Sequence, residues 1–122
     1  MNMKDRAKNF LELVQIALSA IQELDVNQVK NKLDNNENFL LIDVREESEW
    51  AQSRISGSIY LGKGIIERDI ESIEPNKNRE IVLYCQGGYR SALAAESLQR
   101  MGYTNAISMR GGFGEWVNIF PE

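Results

Sequence analysis

The sequence predicts a three-layer α/β domain, a mainly parallel central sheet with helices on both faces. Continuous apolar runs at Phe39-Leu40-Leu41-Ile42 and Ile81-Val82-Leu83-Tyr84 have the character of strands buried on both sides. Segments of helical spacing alternate with these runs, the pattern of parallel strands joined by crossover helices. A chain of 122 residues, 43% hydrophobic and 26% charged, has room for one such domain and its core, and for no second.

The elements follow in order. From Arg6 to about Gln22, residues Phe10, Val14, Ala17 and Ile21, with Leu11 and Leu18, recur at three- and four-residue spacing, which makes an amphipathic helix. Its apolar face is expected on the protein's own core, with a weak homodimer contact or a membrane surface as alternatives. Asp25 stands three residues before Gln28, an N-cap pair opening a short helix through Leu33. The first apolar run ends at Asp43, and Glu46 to Gln52, carrying Trp50, is the helix after it. Ser58-Ile59-Tyr60-Leu61 is a short strand, Ile65 to Ile73 a helix, and Pro75-Asn76-Lys77-Asn78 a turn. The run from Ile81 leads directly into Cys85. Ser91 to Met101 carries Ala92, Ala95, Leu98 and Met101 on one stripe, with Gly102 as C-cap. Ala106 to Met109 is a weak strand, Gly111-Gly112 a turn, and Phe113 to Phe120 a last helix. Trp50 and Trp116 are expected in the core.

Composition removes several functions. There is no histidine, which excludes a Ser-His-Asp triad, a Cys-His dyad and a histidine zinc site. Cys85 is the single cysteine, so it forms no internal disulfide, and it points to a reducing, cytoplasmic setting. The formal charge of −4 gives no overall basic field for nucleic acid. Phe10 to Ile21 would span about 18 Å as a helix against a hydrocarbon core of about 30 Å, so no membrane span is expected. No metal and no organic cofactor is implied.

Chemistry concentrates at Cys85-Gln86-Gly87-Gly88-Tyr89-Arg90-Ser91, between a buried strand and the start of the strongest helix. Ligands of open parallel sheets bind beyond the carboxyl ends of strands. Consecutive glycines let backbone N–H groups converge, and the helix dipole adds partial positive charge. Such a cradle favours a thiolate without a histidine base. The plain structural alternative is that Cys85 is a small buried hydrophobe.

Here the residues resemble a family. Cys85, four intervening residues, then Arg90-Ser91 resembles the active-site loop of single-domain rhodanese-like sulfurtransferases. Leu41-Ile42-Asp43-Val44-Arg45, with Glu46, Glu49 and Trp50 after it, resembles the family's Asp-Val-Arg segment. Gly57-Ser58-Ile59-Tyr60-Leu61 resembles the segment reading Gly-His-Ile-Pro-Gly-Ala and a short strand. Ser53-Arg54-Ile55-Ser56 departs from its Gly-His-Ile-Pro part, with Arg54 in place of histidine. Gly111-Gly112-Phe113-Gly114-Glu115-Trp116 resembles the closing Gly-Gly-aromatic-Trp motif. The resemblance covers about residues 24–119, leaving 1–22 as a helical extension of a domain at 23–122.

The resemblance implies a rhodanese-like three-layer fold and sulfur transfer through a Cys85 persulfide, from thiosulfate or a protein persulfide to a thiol or cyanide. Cys85 is then the nucleophile, and the N–H groups of Gln86, Gly87, Gly88, Tyr89, Arg90 and Ser91 cradle the sulfur. Arg90 anchors the anion, Asp43 and Arg45 support the site structurally, and Arg54 and Lys63 are candidates for donor recruitment. Phosphatases and arsenate reductases on this fold place five residues between cysteine and arginine, where this loop has four. A binding or regulatory module with little turnover and a redox-sensing thiol are the other readings.

Overall fold

The computed structural model describes residues 3–121, so residues 1, 2 and 122 of the expected extension and domain lie outside it. Helix α1 (Met3–Ala20) leads into strand β1 (Gln22–Leu24). There follow α2 (Val26–Asp34), β2 (Leu40–Asp43), α3 (Glu47–Gln52), β3 (Ile59–Tyr60), α4 (Ile66–Ile73), β4 (Ile81–Tyr84), α5 (Tyr89–Arg100), β5 (Ala106–Met109) and α6 (Gly112–Ile119). The five strands form one sheet in the order β1-β5-β4-β2-β3, with every pair parallel. This is the α/β architecture that the apolar runs predict.

Alternation along the strands divides the core into two layers. Ile42 and Val44, Ile81, Leu83 and Cys85, and Ala106 face one side, against Ile66 and Ile70 of α4 and Ala94, Ala95 and Leu98 of α5. Leu41, Val82, Tyr84, Ile107 and Met109 face the other, against Val26 and Val29 of α2 and Phe113 and Trp116 of α6. The period of two therefore assigns Cys85 to the α5 side, at the carboxyl end of β4.

Three details differ from expectation. The first helix, expected to run to about Gln22, stops at Ala20, and Gln22–Leu24 pairs with Ala106–Met109 as an edge strand. Helix α1 packs on α5 through buried Val14 and Ala17, whereas Phe10 and Leu11 of the expected apolar face remain exposed. Trp50 is half-buried at the surface, between Tyr60 and the Arg54 guanidinium, rather than in the core. Its helix, α3, buries none of its residues, so no interior position is open to the ring. Trp116 is buried. The capping box of α2 forms as read: Asp25 Oδ1 accepts from Gln28 N–H, and Gln28 Oε1 accepts from Asp25 N–H, both at 2.8 Å. No helix among the described residues is long and apolar enough to cross a membrane.

Candidate active site

Strand β4 ends at Tyr84, and the chain turns through Cys85 to Gly88 into α5. Gly88 is the N-cap of α5 at φ 97°, a left-handed conformation that favours glycine. A Cβ there would lie 3.2 Å from the Gly111 nitrogen, a tight contact that adds to the backbone's preference for glycine. This turn brings N–H groups back over the sulfur: Gly88 donates to Cys85 Sγ at 3.1 Å and Ser91 at 3.4 Å. The Ser91 Oγ lies 3.5 Å from the same sulfur. Cys85 is 1% exposed, and the first turn of α5 aligns its dipole on it. Two backbone donors, a hydroxyl and a helix terminus thus surround one sulfur, an arrangement suited to negative charge.

The outer side of the loop is held by α6. Phe113 N–H donates to the Cys85 carbonyl at 2.8 Å, and Gly114 N–H to the Gln86 carbonyl at 3.0 Å. In a trans peptide the N–H points opposite to the C=O. Fixing those carbonyls on α6 therefore turns the Gln86 and Gly87 N–H groups away from it. Gly112, at φ 62°, makes this approach possible, because a Cβ there would stand 2.5 Å from Gln86 O and 2.6 Å from Cys85 O. The Gly111-Gly112 pair thus acts as a turn, and its backbone closeness to the loop is what spacing alone does not reveal.

Asp43 and Arg45 buttress α6. Asp43 is fully buried and takes Arg45 Nε at 3.0 Å and Nη2 at 2.7 Å. Arg45 Nη2 also donates to the Ser53 carbonyl at 2.6 Å, and the guanidinium lies 4.3 Å from the Phe113 ring centroid. On that ring's other neighbour, Tyr84, burial pushes the phenol up to about 12, against the pull of its Ser58 and Ile55 hydrogen bonds. The phenol stays protonated at any ordinary pH.

Arg90, in the first turn of α5, faces two carboxylates. Its guanidinium lies 3.5 Å from Glu49 and 3.9 Å from Glu46, at the edge of a cleft of about 480 Å³. Lys63 lines the same cleft, whereas Arg54 lies over the Trp50 ring and lines a separate cavity beside Phe113 and Trp116. Of the loop's remaining residues, Gln86, Gly87 and Tyr89 are exposed, with the Tyr89 ring 6.3 Å from Phe10 of α1.

The family model for the rhodanese-like domain matches residues 25–119. The chain belongs to the rhodanese-like domain family. A sulfurtransferase of Allochromatium vinosum is 33% identical over 97 residues, covering 80% of this chain and 89% of that protein. The putative sulfur carrier protein YrkF of Bacillus subtilis is 32% identical over 99 residues; the match takes in 81% of this chain but 52% of YrkF. Among solved structures, a Rhodopseudomonas palustris protein described as a possible tyrosine phosphatase superimposes with a TM-score of 0.83. It is 28% identical and covers 90% of this chain and 89% of its own.

Within this rhodanese-like domain the structure brings Cys85, Gly88 and Ser91 onto one sulfur and leaves Arg90 on the acidic edge of α3. Sequence reasoning missed the grip of Phe113 and Gly114 on the loop carbonyls, and it missed Ser108 of β5, whose Oγ lies 2.8 Å from that of Ser91. A polar residue inside a buried strand was the available signal for Ser108.

Proposed function

We propose that the protein is a sulfurtransferase that carries sulfane sulfur on Cys85 as a persulfide, between a donor such as thiosulfate and a thiophilic acceptor, cyanide or a thiol. The observation that supports this reading is the Cys85 sulfur receiving the Gly88 and Ser91 N–H groups at the start of α5. The sulfurtransferase among its relatives supports the same class. The Cys85 thiolate attacks the outer sulfur of thiosulfate; the new S–S bond forms as the old one breaks, and sulfite leaves with the electron pair. Attack by cyanide on the outer sulfur of the persulfide releases thiocyanate and restores the thiolate. No proton moves in either step, which suits a site without histidine. The N–H groups from Gln86 to Ser91 stabilise the charge on the transferred sulfur. Arg90 and Lys63, on one cleft, draw in an anionic donor, and Asp43 and Arg45 hold the loop's support.

Thiocyanate release from thiosulfate and cyanide tests the proposal. Wild-type protein turns over, and Cys85→Ser falls to the uncatalysed rate; equal turnover by the two would overturn it. The likeness to a possible tyrosine phosphatase brings phosphate ester hydrolysis in as a second reading. Four residues between Cys85 and Arg90, with Ser91 where the longer loop has arginine, favour sulfur. Hydrolysis of p-nitrophenyl phosphate that depends on Cys85 would reverse that order. We read the chain as cytoplasmic, and as a monomer or a weak homodimer through the exposed Leu13 and Ile16 of α1, which sedimentation at micromolar concentration separates.

A further inference from the structure

Strand β5 is fully buried, and Ala106, Ile107 and Met109 are apolar there as a central strand requires. Ser108 is the exception. It is 0% exposed, and alternation places it on the same side of the sheet as Ala106, Leu83 and Cys85. Its hydroxyl lies 2.8 Å from Ser91 Oγ, also 0% exposed, which lies 3.5 Å from Cys85 Sγ. Among the described residues, the Ser108 hydroxyl has no other hydrogen-bond partner.

This chain of three groups has two links, and counting hydrogens along it gives it a direction. With Cys85 as a thiol, the sulfur and two hydroxyls carry three hydrogens for two links. One buried hydrogen is left without an acceptor, or a hydroxyl is aimed at a neutral sulfur, which is a weak one. With Cys85 as a thiolate there are two hydrogens: Ser108 O–H donates to Ser91 Oγ, and Ser91 O–H donates to the sulfur. Every donor is then matched.

We propose that Ser108 is a positioning residue for Cys85, its buried hydroxyl orienting the Ser91 hydroxyl to donate to the reactive sulfur. Ser108 touches neither the sulfur nor substrate; it acts through Ser91 and ties the nucleophile to the strand next to its own. The inference rests on Cys85 being the nucleophile of the proposed reaction, but its test needs no sulfur donor.

Because Cys85 is the only cysteine, iodoacetamide alkylation followed by intact mass against pH reads this one thiol. Ser108→Ala is expected to move the midpoint of that curve to higher pH by about half to one pH unit, a roughly 3- to 10-fold loss of thiolate below the midpoint. Ser91→Ala moves it at least as far, and adding Ser108→Ala to Ser91→Ala moves it no further. Ser108→Thr, which keeps the hydroxyl, returns the midpoint toward wild type and serves as the informative variant if the alanine protein folds poorly. An unmoved midpoint in folded Ser108→Ala overturns the proposal. So does an equal displacement with and without the Ser91 hydroxyl, the mark of a packing defect. Failure of sulfur transfer with the midpoint displaced as expected would count against the proposed reaction and leave the Ser108 relay standing.

Discussion

Two helices begin beside each other at the carboxyl edge of the sheet, and they use the same device for different ends. Both α5 and α6 open on a left-handed glycine, Gly88 at φ 97° and Gly111 at φ 86°. Both present unpaired first-turn N–H groups. Those of α5 meet the Cys85 sulfur, whereas those of α6 meet the Cys85 and Gln86 carbonyls. What lies opposite the helix start sets its role. Facing a side-chain sulfur, it supplies hydrogen-bond donors to it; facing a backbone, it fixes the conformation in which the sulfur is held.

The comparison breaks most completely at its base. Removing the guanidinium in Arg45→Ala leaves the buried Asp43 carboxylate without its counter-charge, with the backbone N–H of residue 45 still donating to it, and takes away the cation over Phe113. We expect a loss of about 3–5 kcal/mol in urea unfolding. Activity of the folded fraction falls with it, because Phe113 holds the Cys85 carbonyl.

Gly112→Ala acts at the contact itself. The added Cβ meets backbone at 2.5 and 2.6 Å, which cannot swing aside as a side chain does. An expected loss of about 2–4 kcal/mol combines overpacking with left-handed strain. Gly87→Ala is the control inside the Cys85 loop, since nothing lies within 4 Å of its Cβ. It should change stability by less than about 1 kcal/mol. Equal effects at the two positions would mean that α6 does not hold the loop as described.

A smaller effect follows from Tyr84, which stacks behind Phe113 with ring centroids 6.3 Å apart. Its phenol accepts from Ile55 N–H at 3.1 Å and pairs with Ser58 Oγ at 3.0 Å. Tyr84→Phe is expected to cost about 1–2 kcal/mol near pH 8. The folded phenol titrates at about 12 and the unfolded one at about 10, so the folded state holds the proton more tightly. That stabilisation is complete below pH about 10 and disappears as pH rises through about 12. The stability gap between wild type and Tyr84→Phe should therefore narrow over that interval, as chemical denaturation at stepped pH would show; a gap that widens would contradict the burial of the phenol. Tyr60 and Tyr103, also raised by burial, contribute in the alkaline range in both proteins.

The two helix starts also differ in how far they could be read in advance. An apolar strand ending at Cys85, two glycines and a good helix follow in linear order, so the α5 start was legible from spacing. The α6 start looked like a turn, and its hold on the Cys85 loop depends on two segments meeting in space. Ser108 was legible only in part: a serine in an apolar run marks it as unusual, but its role comes from the alternation of β5 against β4. Gln22–Leu24 has too little apolar character to declare a strand, since an edge strand of three residues is made by its pairing with β5. Arg90 has the spacing of an anion anchor, yet Glu46 and Glu49 of a neighbouring segment compete for it.

The most direct test of the central claim, that the α5 start equips Cys85 to carry sulfur, is the intact mass of the protein after brief exposure to thiosulfate or a low-molecular-weight persulfide, and then to cyanide. The account predicts one added sulfur atom on wild type, none on Cys85→Ser, and its removal by cyanide as thiocyanate. No added sulfur from either donor, on folded protein whose Cys85 alkylates readily at neutral pH, would contradict it.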